Sequence, residues 1–477
     1  MKLTIIQPYD VNRWYYVLIP SLGLGYLGAA AERAGCEVDF VDCLKLRYTD
    51  EQLFDRMKEF GPDVVGVTFH SSDYAAVDRY VKMFNELPKR PVVTLGGPHP
   101  TVEPRATLDE MRGVDTIFLG EAEETLPEYL KKIESGASTV EAARNTAGVA
   151  FMDGGEYIKN KRAPYVDVNR YPFPAWHLVE PESYPTTPIG IFSRRAKIAP
   201  MNATRGCRAN CSYCAAGKLA GYRVRARDPE NIVEEMKMLK DRGIEEIHFM
   251  DDSLTHDRGF IIELCEKMVD KGLKMPWASP NGVRLDTIDE EVVEKMEKAG
   301  CYAFSVGIES GTQRILDDMN KGLTVGLIKE KVGLIKKHSD IEVTGFFIIG
   351  YPGETIEDIK RTIKFSVSLP LNRANFFNFS PFPGSRIYTL MKRQGKLDGL
   401  DFSRLYVHQI LYTPDDVSKE QLQKLQKKAY MKFYIRLKIL LRLAAEIKSF
   451  SQIKTILKRV FYVMFLSKKE EQQPYTY

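Results

Sequence analysis

Thr204-Arg-Gly-Cys207-Arg-Ala-Asn-Cys211-Ser-Tyr213-Cys214 is the stretch from which the rest of the chain is read. Its spacing is CxxxCxxC, with an aromatic ring directly before the last cysteine. Three thiolates on one tight loop can hold three irons of a 4Fe–4S cluster, which requires thiolate ligands. No fourth cysteine lies nearby, so one iron would stay open. A zinc knuckle or three buried thiols would draw on the same residues, and the flanking sequence has to decide.

Downstream of the β-rich run Ile198–Thr204, strand and helix alternate as far as Gln394. Further strands are expected at Glu246–Met250, Trp277–Ser279, Tyr302–Val306, Glu342–Ile348 and Asn375–Phe379. Helices are expected at Glu230–Arg242, Gly259–Lys271, Glu290–Ala299, Ile328–His338 and Ile356–Ser368. This order predicts a partial (β/α)6 barrel of TIM type over 196–395. The active face of such a barrel is the carboxyl end of its strands, where Cys207 falls.

Upstream, residues 1–145 read as a separate α/β unit with a doubly wound, Rossmann-like parallel sheet. Its strands are expected at Leu3–Gln7, Val38–Val41, Val64–Phe69, Val92–Leu95 and Thr116–Leu119, with helical patterns between them. Ligands of such sheets sit at the carboxyl ends of the strands. Residues 146–195 read as a hairpin turning at Asp153-Gly154-Gly155 and a proline-rich linker. Residues 396–477 read as a helical, basic region: Lys419 to Lys469 holds fourteen Lys and Arg against two Glu.

Composition excludes little. The chain has 477 residues, is 44% hydrophobic, and carries a formal net charge of +4. It is long enough for several domains. The odd count of seven cysteines suits a reducing cytoplasm rather than a disulfide framework, with Cys36, Cys43, Cys265 and Cys301 read as buried thiols. Neither a signal peptide nor a long apolar span is expected.

The cysteine loop closely resembles the radical S-adenosylmethionine (SAM) signature, and further segments resemble that superfamily's barrel in the right order. Ile247-His-Phe-Met-Asp251-Asp252 ends the second strand in two carboxylates that would face the SAM amine, or would cap the next helix. Arg284, after the third strand, resembles the basic residue near the SAM carboxylate or ribose, where its fork fits a carboxylate. Glu309, in Ser305-Val-Gly-Ile-Glu309-Ser-Gly311, would face the ribose or amine, or would pair with Arg284. Tyr213 belongs with the cluster. Gly350, in Gly345–Glu354, would let the backbone approach adenine. Phe379–Ser385 resembles the end of the sixth strand.

Three N-terminal segments, on this sheet and ahead of this barrel, resemble the cobalamin-binding radical SAM family. They are Ser21–Gly28, with Gly23 and Gly25; Gly96-Gly97-Pro-His99-Pro100; and Gly120-Glu121–Thr125. Glycines at strand ends would admit the flat corrin and its tail. Glu121 opens a helix. His99 would touch the tail, or would serve as a strand-end hydrogen-bonding residue. The Asp-x-His-x-x-Gly run that carries a cobalt-ligating histidine in mutases is absent, a departure this family often shares.

The resemblance implies an enzyme with three cofactors, a 4Fe–4S cluster, SAM and cobalamin, and a low-potential electron donor of flavodoxin or ferredoxin type. It implies C-methylation of a poorly activated carbon, using methylcobalamin and a 5′-deoxyadenosyl radical. Oxidative cyclisation or carbon–carbon bond formation is the alternative, and a cobalamin- or cluster-binding regulator without turnover a remote one. Tyr430–Leu443 and Ile453–Leu466 read as helices packed on the barrel, or as an amphipathic surface for lipid or a lipid-like substrate. No RNA-binding domain follows the barrel, so no nucleic-acid partner is expected. A cytoplasmic protein is expected, with peripheral membrane contact through the tail as a further reading.

Overall fold

The computed structural model describes residues 1–10, 18–185, 193–407 and 409–446. Residues 186–192 of the proline-rich crossing and the stretch Ile453–Leu466 lie outside the described residues.

The first sheet is built on β1 (Lys2–Gln7), β2 (Glu37–Asp42), β3 (Val64–Thr68), β4 (Val92–Gly96) and β5 (Thr116–Phe118), all parallel. The spatial order is β2-β1-β3-β4-β5. Apart from the edge strand β2, which carries Glu37, Asp39 and Asp42 and is only partly buried, each strand is a short apolar run buried between helices, the pattern parallel sheets need. The hairpin expected in the linker instead joins this sheet. β6 (Val149–Asp153) runs antiparallel to β5, and β7 (Glu156–Lys159) extends the sheet to seven strands. Pairing satisfies backbone groups that the β5 edge would otherwise expose.

The crossing that follows is extended but packed. Ala175 N donates to Gly25 O at 2.9 Å on the first domain, and Trp176 Nε1 donates to Glu235 Oε1 at 3.0 Å on the second. Consecutive residues therefore stitch the two halves together, and the segment forms a seam rather than a tether.

The second sheet is all parallel and follows chain order. Its strands are β8 (Ile198–Met201), β11 (Glu246–Phe249), β12 (Trp277–Val283), β13 (Cys301–Glu309), β14 (Glu342–Ile349) and β15 (Arg373–Asn378). A small antiparallel ladder, β9 (Thr204–Arg205) with β10 (Arg225–Ala226), brackets the cysteine loop. The sheet is open between β8 and β15, and helices cover its outer face. At the amino ends of its strands, Tyr302 Oη donates to Glu246 Oε1 at 2.6 Å, and His248 Nε2 lies 2.7 Å from the same oxygen.

The free edge at β15 is closed by the helix Lys419–Tyr434. Gln426 Nε2 donates to Phe376 O at 2.8 Å, and Tyr434 Oη donates to Ala374 O at 3.0 Å. Tyr430 Oη accepts from Phe376 N at 3.2 Å. These three residues recur every four positions and so share one helix face. Within the described residues the basic region packs on the barrel with its aromatic rings. All seven cysteines are free, and no helix among the described residues is long and apolar enough to cross a membrane.

Candidate functional site

The carboxyl ends of both sheets face one chamber of about 920 Å³. Gln7, His70, Ser71 and Pro98 reach it from the first sheet, and Tyr213, Cys214, Met250 and Glu309 from the second. It has no counterpart in any one motif, because its two walls come from different domains.

The cysteine loop is held tightly at its ends. Gly206 adopts φ +92°, and a Cβ there would collide with the Arg223 carbonyl. Cys207 N donates to Gly221 O at 3.1 Å. Ser212 N donates to Met319 O at 2.8 Å, and Asn320 Nδ2 to Asn210 O at 2.7 Å. The segment Asp318–Lys321 thus grips the loop from beneath β13.

The three thiols do not form a set whose sulfurs all lie within 4.8 Å of one another; among the described residues only Glu290, Glu294 and His338 form such a set. As they stand the sulfurs are not gathered closely enough for one zinc ion, which draws its ligands in to about 2.3 Å. Cys214 is open to the chamber yet set deep in the protein, and burial pushes its thiol up to about 11. Burial likewise raises Cys207, and the charge of nearby Asp252 adds to both. A positively charged metal cluster would reverse that penalty.

Glu309 closes β13 in the left-handed region, φ +64°, rare for a residue with a side chain. Two groups hold its carboxylate: Lys321 Nζ donates to Oε1 at 2.7 Å and Tyr213 Oη at 2.9 Å. Burial works against the Lys321 charge, but Glu309 and Cys211 outweigh it and raise the ammonium above its ordinary value. Lys321 carries no signal in the sequence, where Arg284 is the expected partner of Glu309. Arg284 instead pairs bidentately with Asp286, at 2.8 and 2.9 Å.

Other candidates turn out to do structural work. The Asp251 carboxylate is fully buried and accepts from Ala203 N at 3.0 Å and Thr204 Oγ1 at 2.6 Å, fixing the approach to the cysteine loop. Burial raises it to about 6. Asp252 is exposed at the same strand end, in a recess that raises its carboxyl. Gly350 packs under Leu422, whose Cδ2 would stand 2.7 Å from a Cβ at this position, so the missing side chain serves the C-terminal helix.

On the N-terminal side, a Cβ at Gly23 or Gly96 would meet nothing within 4 Å. Gly97 turns the chain at φ +91° against the Thr68 hydroxyl. Gly97 thus serves the turn, and Gly23 and Gly96 leave room above the backbone. Gly25 does not share that role: a Cβ there would stand 2.9 Å from the Pro174 side chain, so it serves the packing of the seam. His99 is buried, and its Nδ1 lies 2.8 Å from Ser71 Oγ. Its ring sits among Phe69, Tyr74 and Phe402, and burial lowers it to about 4, so it is neutral and orients Ser71.

Gly120 and Glu121 belong to the domain interface. A Cβ at Gly120 would stand 3.5 Å from the Leu219 carbonyl of the second domain, while its N–H donates to Thr101 Oγ1 of its own domain at 3.0 Å. Glu121 accepts from Arg225 at 2.8 Å, and Glu123 accepts from Arg205 at 2.6 Å. Arg205 also lies over the rings of Tyr26 and Tyr171, at 4.7 and 4.8 Å. Both arginines flank the cysteine loop on β9 and β10, so the first domain clamps the frame of that loop.

Comparison with known proteins agrees with this layout. Residues 201–366 match the radical SAM superfamily, and residues 11–130 match the B12 binding domain. An uncharacterized methyltransferase of Pyrococcus horikoshii is 30% identical over 97% of this chain and 99% of its own length. The cytidylyl-2-hydroxyethylphosphonate methyltransferase of Streptomyces wedmorensis is 31% identical over 91% of this chain and 90% of its own length. An anaerobic magnesium-protoporphyrin IX monomethyl ester cyclase of Cereibacter sphaeroides is 29% identical over 87% and 67%. Among solved structures, the cobalamin-dependent SAM radical enzyme OxsB superposes with a TM-score of 0.72 at 15% identity, over 97% of this chain and 71% of that one. The methyltransferase TsrM from Kitasatospora setae gives 0.67 at 20% identity, over 82% and 75%. At these identities the structures speak for the fold.

Proposed function

The chain belongs to the cobalamin-binding radical SAM family, and from that premise we propose that it methylates a poorly activated carbon of a small molecule. What supports the reading is the single chamber, about 920 Å³, reached both by the cysteine loop and by the strand ends of the N-terminal sheet. When bound, the cluster with SAM supplies radical chemistry and cobalamin supplies a methyl group.

The residues have distinct tasks. Cys207, Cys211 and Cys214 hold the cluster and leave one iron for SAM. Lys321, Arg284 and Asp252 meet the charged groups of SAM, and Tyr213 with Glu309 holds that pocket against the loop. Gly23, Gly96, Gly97 and the strand-end residues His70 and Ser71 take the corrin side, with His99 behind Ser71. In this reading residues 1–145 with the hairpin are the cobalamin unit and 196–395 the radical SAM unit. The apolar chamber wall keeps water from the reacting carbon. The electron comes from a flavodoxin- or ferredoxin-type donor.

The likeness to the Cereibacter cyclase favours ring closure as a second reading. Mass spectrometry after anaerobic reconstitution with iron, sulfide, cobalamin, SAM and a low-potential reductant tests both. Cysteine-dependent 5′-deoxyadenosine together with S-adenosylhomocysteine is the methylation result. 5′-Deoxyadenosine alone moves the assignment to ring closure, and neither product overturns it.

The described end of the basic region exposes Ile435, Leu437, Leu440 and Leu441 beside Lys432 and Lys438. That composition supports peripheral contact of a cytoplasmic enzyme with an anionic membrane surface. Co-sedimentation with phosphatidylserine vesicles tests it, and equal recovery with neutral vesicles alone would remove it.

A further inference from the structure

The barrel's last two strands carry matched aromatic doublets, Phe346-Phe347 on β14 and Phe376-Phe377 on β15. Neighbouring residues of a strand point to opposite faces. Phe347 and Phe376 stack at 5.2 Å in the buried outer core, under the helices. Phe346 and Phe377 meet edge to face at 5.4 Å on the inner side and line the chamber.

The wall continues mostly in the same chemistry. Ile348 follows on β14, Phe379 just past the end of β15, Phe382 and Pro383 on the next turn, and Leu405 and Val407 on the segment that closes it, with the neutral polar Asn378, Ser380 and Tyr406 between them. Phe346, Ile348, Phe377, Phe382 and Val407 are only partly buried, so they offer apolar surface to an occupant. None of the described residues lining the chamber is Lys or Arg. Among those residues the one carboxylate, Glu309, is already neutralised by Lys321.

We propose that the substrate is an uncharged, largely apolar molecule, seated against this β14–β15 wall. The proposal rests on the chamber being the reaction site. A phosphate or carboxylate against this wall would lose its water with no Lys or Arg among the described lining residues to meet it. The two cations assigned to SAM, Lys321 and Arg284, are already paired with Glu309 and Asp286, so its burial is costly. An apolar chain or ring loses nothing and gains the aromatic contacts. The relatives' names include both a cytidylyl phosphonate and a porphyrin ester as substrates. The wall of this chain separates it from the first of these chemistries.

The test uses the full chain, reconstituted without oxygen, and three probes: geranylgeraniol, protoporphyrin IX dimethyl ester and CMP. Binding is measured by equilibrium dialysis for wild type, Ile348→Glu and Val407→Glu, with iron and cobalamin content reporting that each variant is assembled. The expected result is saturable binding of a neutral probe, weakened roughly tenfold or more in both variants, and no binding of CMP. Which neutral probe binds tells a chain from a ring. CMP binding, or neutral-probe binding indifferent to both substitutions, overturns the proposal. Formation of 5′-deoxyadenosine by the wild-type protein is followed in parallel. If it persists while the probe results fail, only the substrate class is wrong; if it is absent, the reading of the chamber itself falls.

Discussion

Lys321 Nζ lies 2.7 Å from Glu309 Oε1, and Tyr213 Oη meets the same oxygen at 2.9 Å. A residue between two of the cluster cysteines is thereby tied to the end of β13 and to the segment that grips the loop. The left-handed backbone at Glu309 is strained, and strain of this kind persists where its surroundings hold it.

Lys321→Met removes a cation from the proposed SAM pocket without changing any of the three loop cysteines. SAM affinity is expected to fall by about tenfold or more, the equivalent of roughly 1.4 kcal/mol. Because the substitution also leaves the buried Glu309 without its cation, affinities are compared at equal iron content per protein, and Lys321→Arg should recover part of the affinity. Titration of SAM against the electron paramagnetic resonance spectrum of the reduced cluster reads the change directly.

Asp251→Ala leaves the buried N–H groups of Ala203 and Thr204 without their acceptor. Each orphaned group costs about 1–3 kcal/mol. The variant should unfold at lower denaturant concentration and take up less iron, because the strand leading into Cys207 loses its anchor. Unchanged iron uptake would show that Asp251 does not position the loop.

Glu354 gives a pH dependence. Oε2 accepts from Gly350 N at 2.6 Å and Tyr351 N at 3.2 Å, while burial raises the carboxyl from 4.5 to about 8. The unfolded chain ionises this group near 4.5, whereas the folded protein keeps its proton to about 8. Stability held below the lower value is therefore lost as pH rises towards the upper one, by up to about 1.4 kcal/mol per pH unit. Glu354→Gln should flatten that decline in urea unfolding curves taken between pH 5 and pH 8. A slope equal to wild type would contradict the assignment.

The domain clamp makes a separate prediction. Arg205→Met strands Glu123, whose side chain is 6% exposed, beside Glu121. Removing one partner of a buried pair costs about 3–5 kcal/mol. Hydrogen exchange should rise on both sides of the interface, at the cysteine loop and at the start of the helix Thr125–Glu134. Exchange confined to the loop would mean that the first domain does not hold it.

Much of the architecture is legible in the sequence because it is written locally. The buried parallel strands are short apolar runs, and the thiols lie within one turn of chain, so spacing alone assembles them. What escapes depends on surfaces that meet late. Tyr213, Glu309 and Lys321 are far apart in sequence, and only the docking of Asp318–Lys321 under the loop unites them. Gly23 and Gly25 sit two positions apart on one helix and so face different ways, one towards open space and one onto Pro174. Nothing in the run Ser21–Gly28 says which face is covered. Glu121 reads as a cofactor residue in the sequence because its partner, Arg225, arrives from the other domain. The aromatic doublets are visible as letters, but their meaning needs the register that sets Ile348 opposite Phe377.

The central claim is that the cysteine loop and the N-terminal sheet serve one chamber. The most direct test is electron paramagnetic resonance on the anaerobic protein holding both the reduced cluster and cob(II)alamin. One shared chamber predicts that the two signals broaden each other, and that the broadening disappears when either cofactor is left out. Two sharp, independent signals in the fully loaded protein would place the cofactors in separate sites and contradict the account.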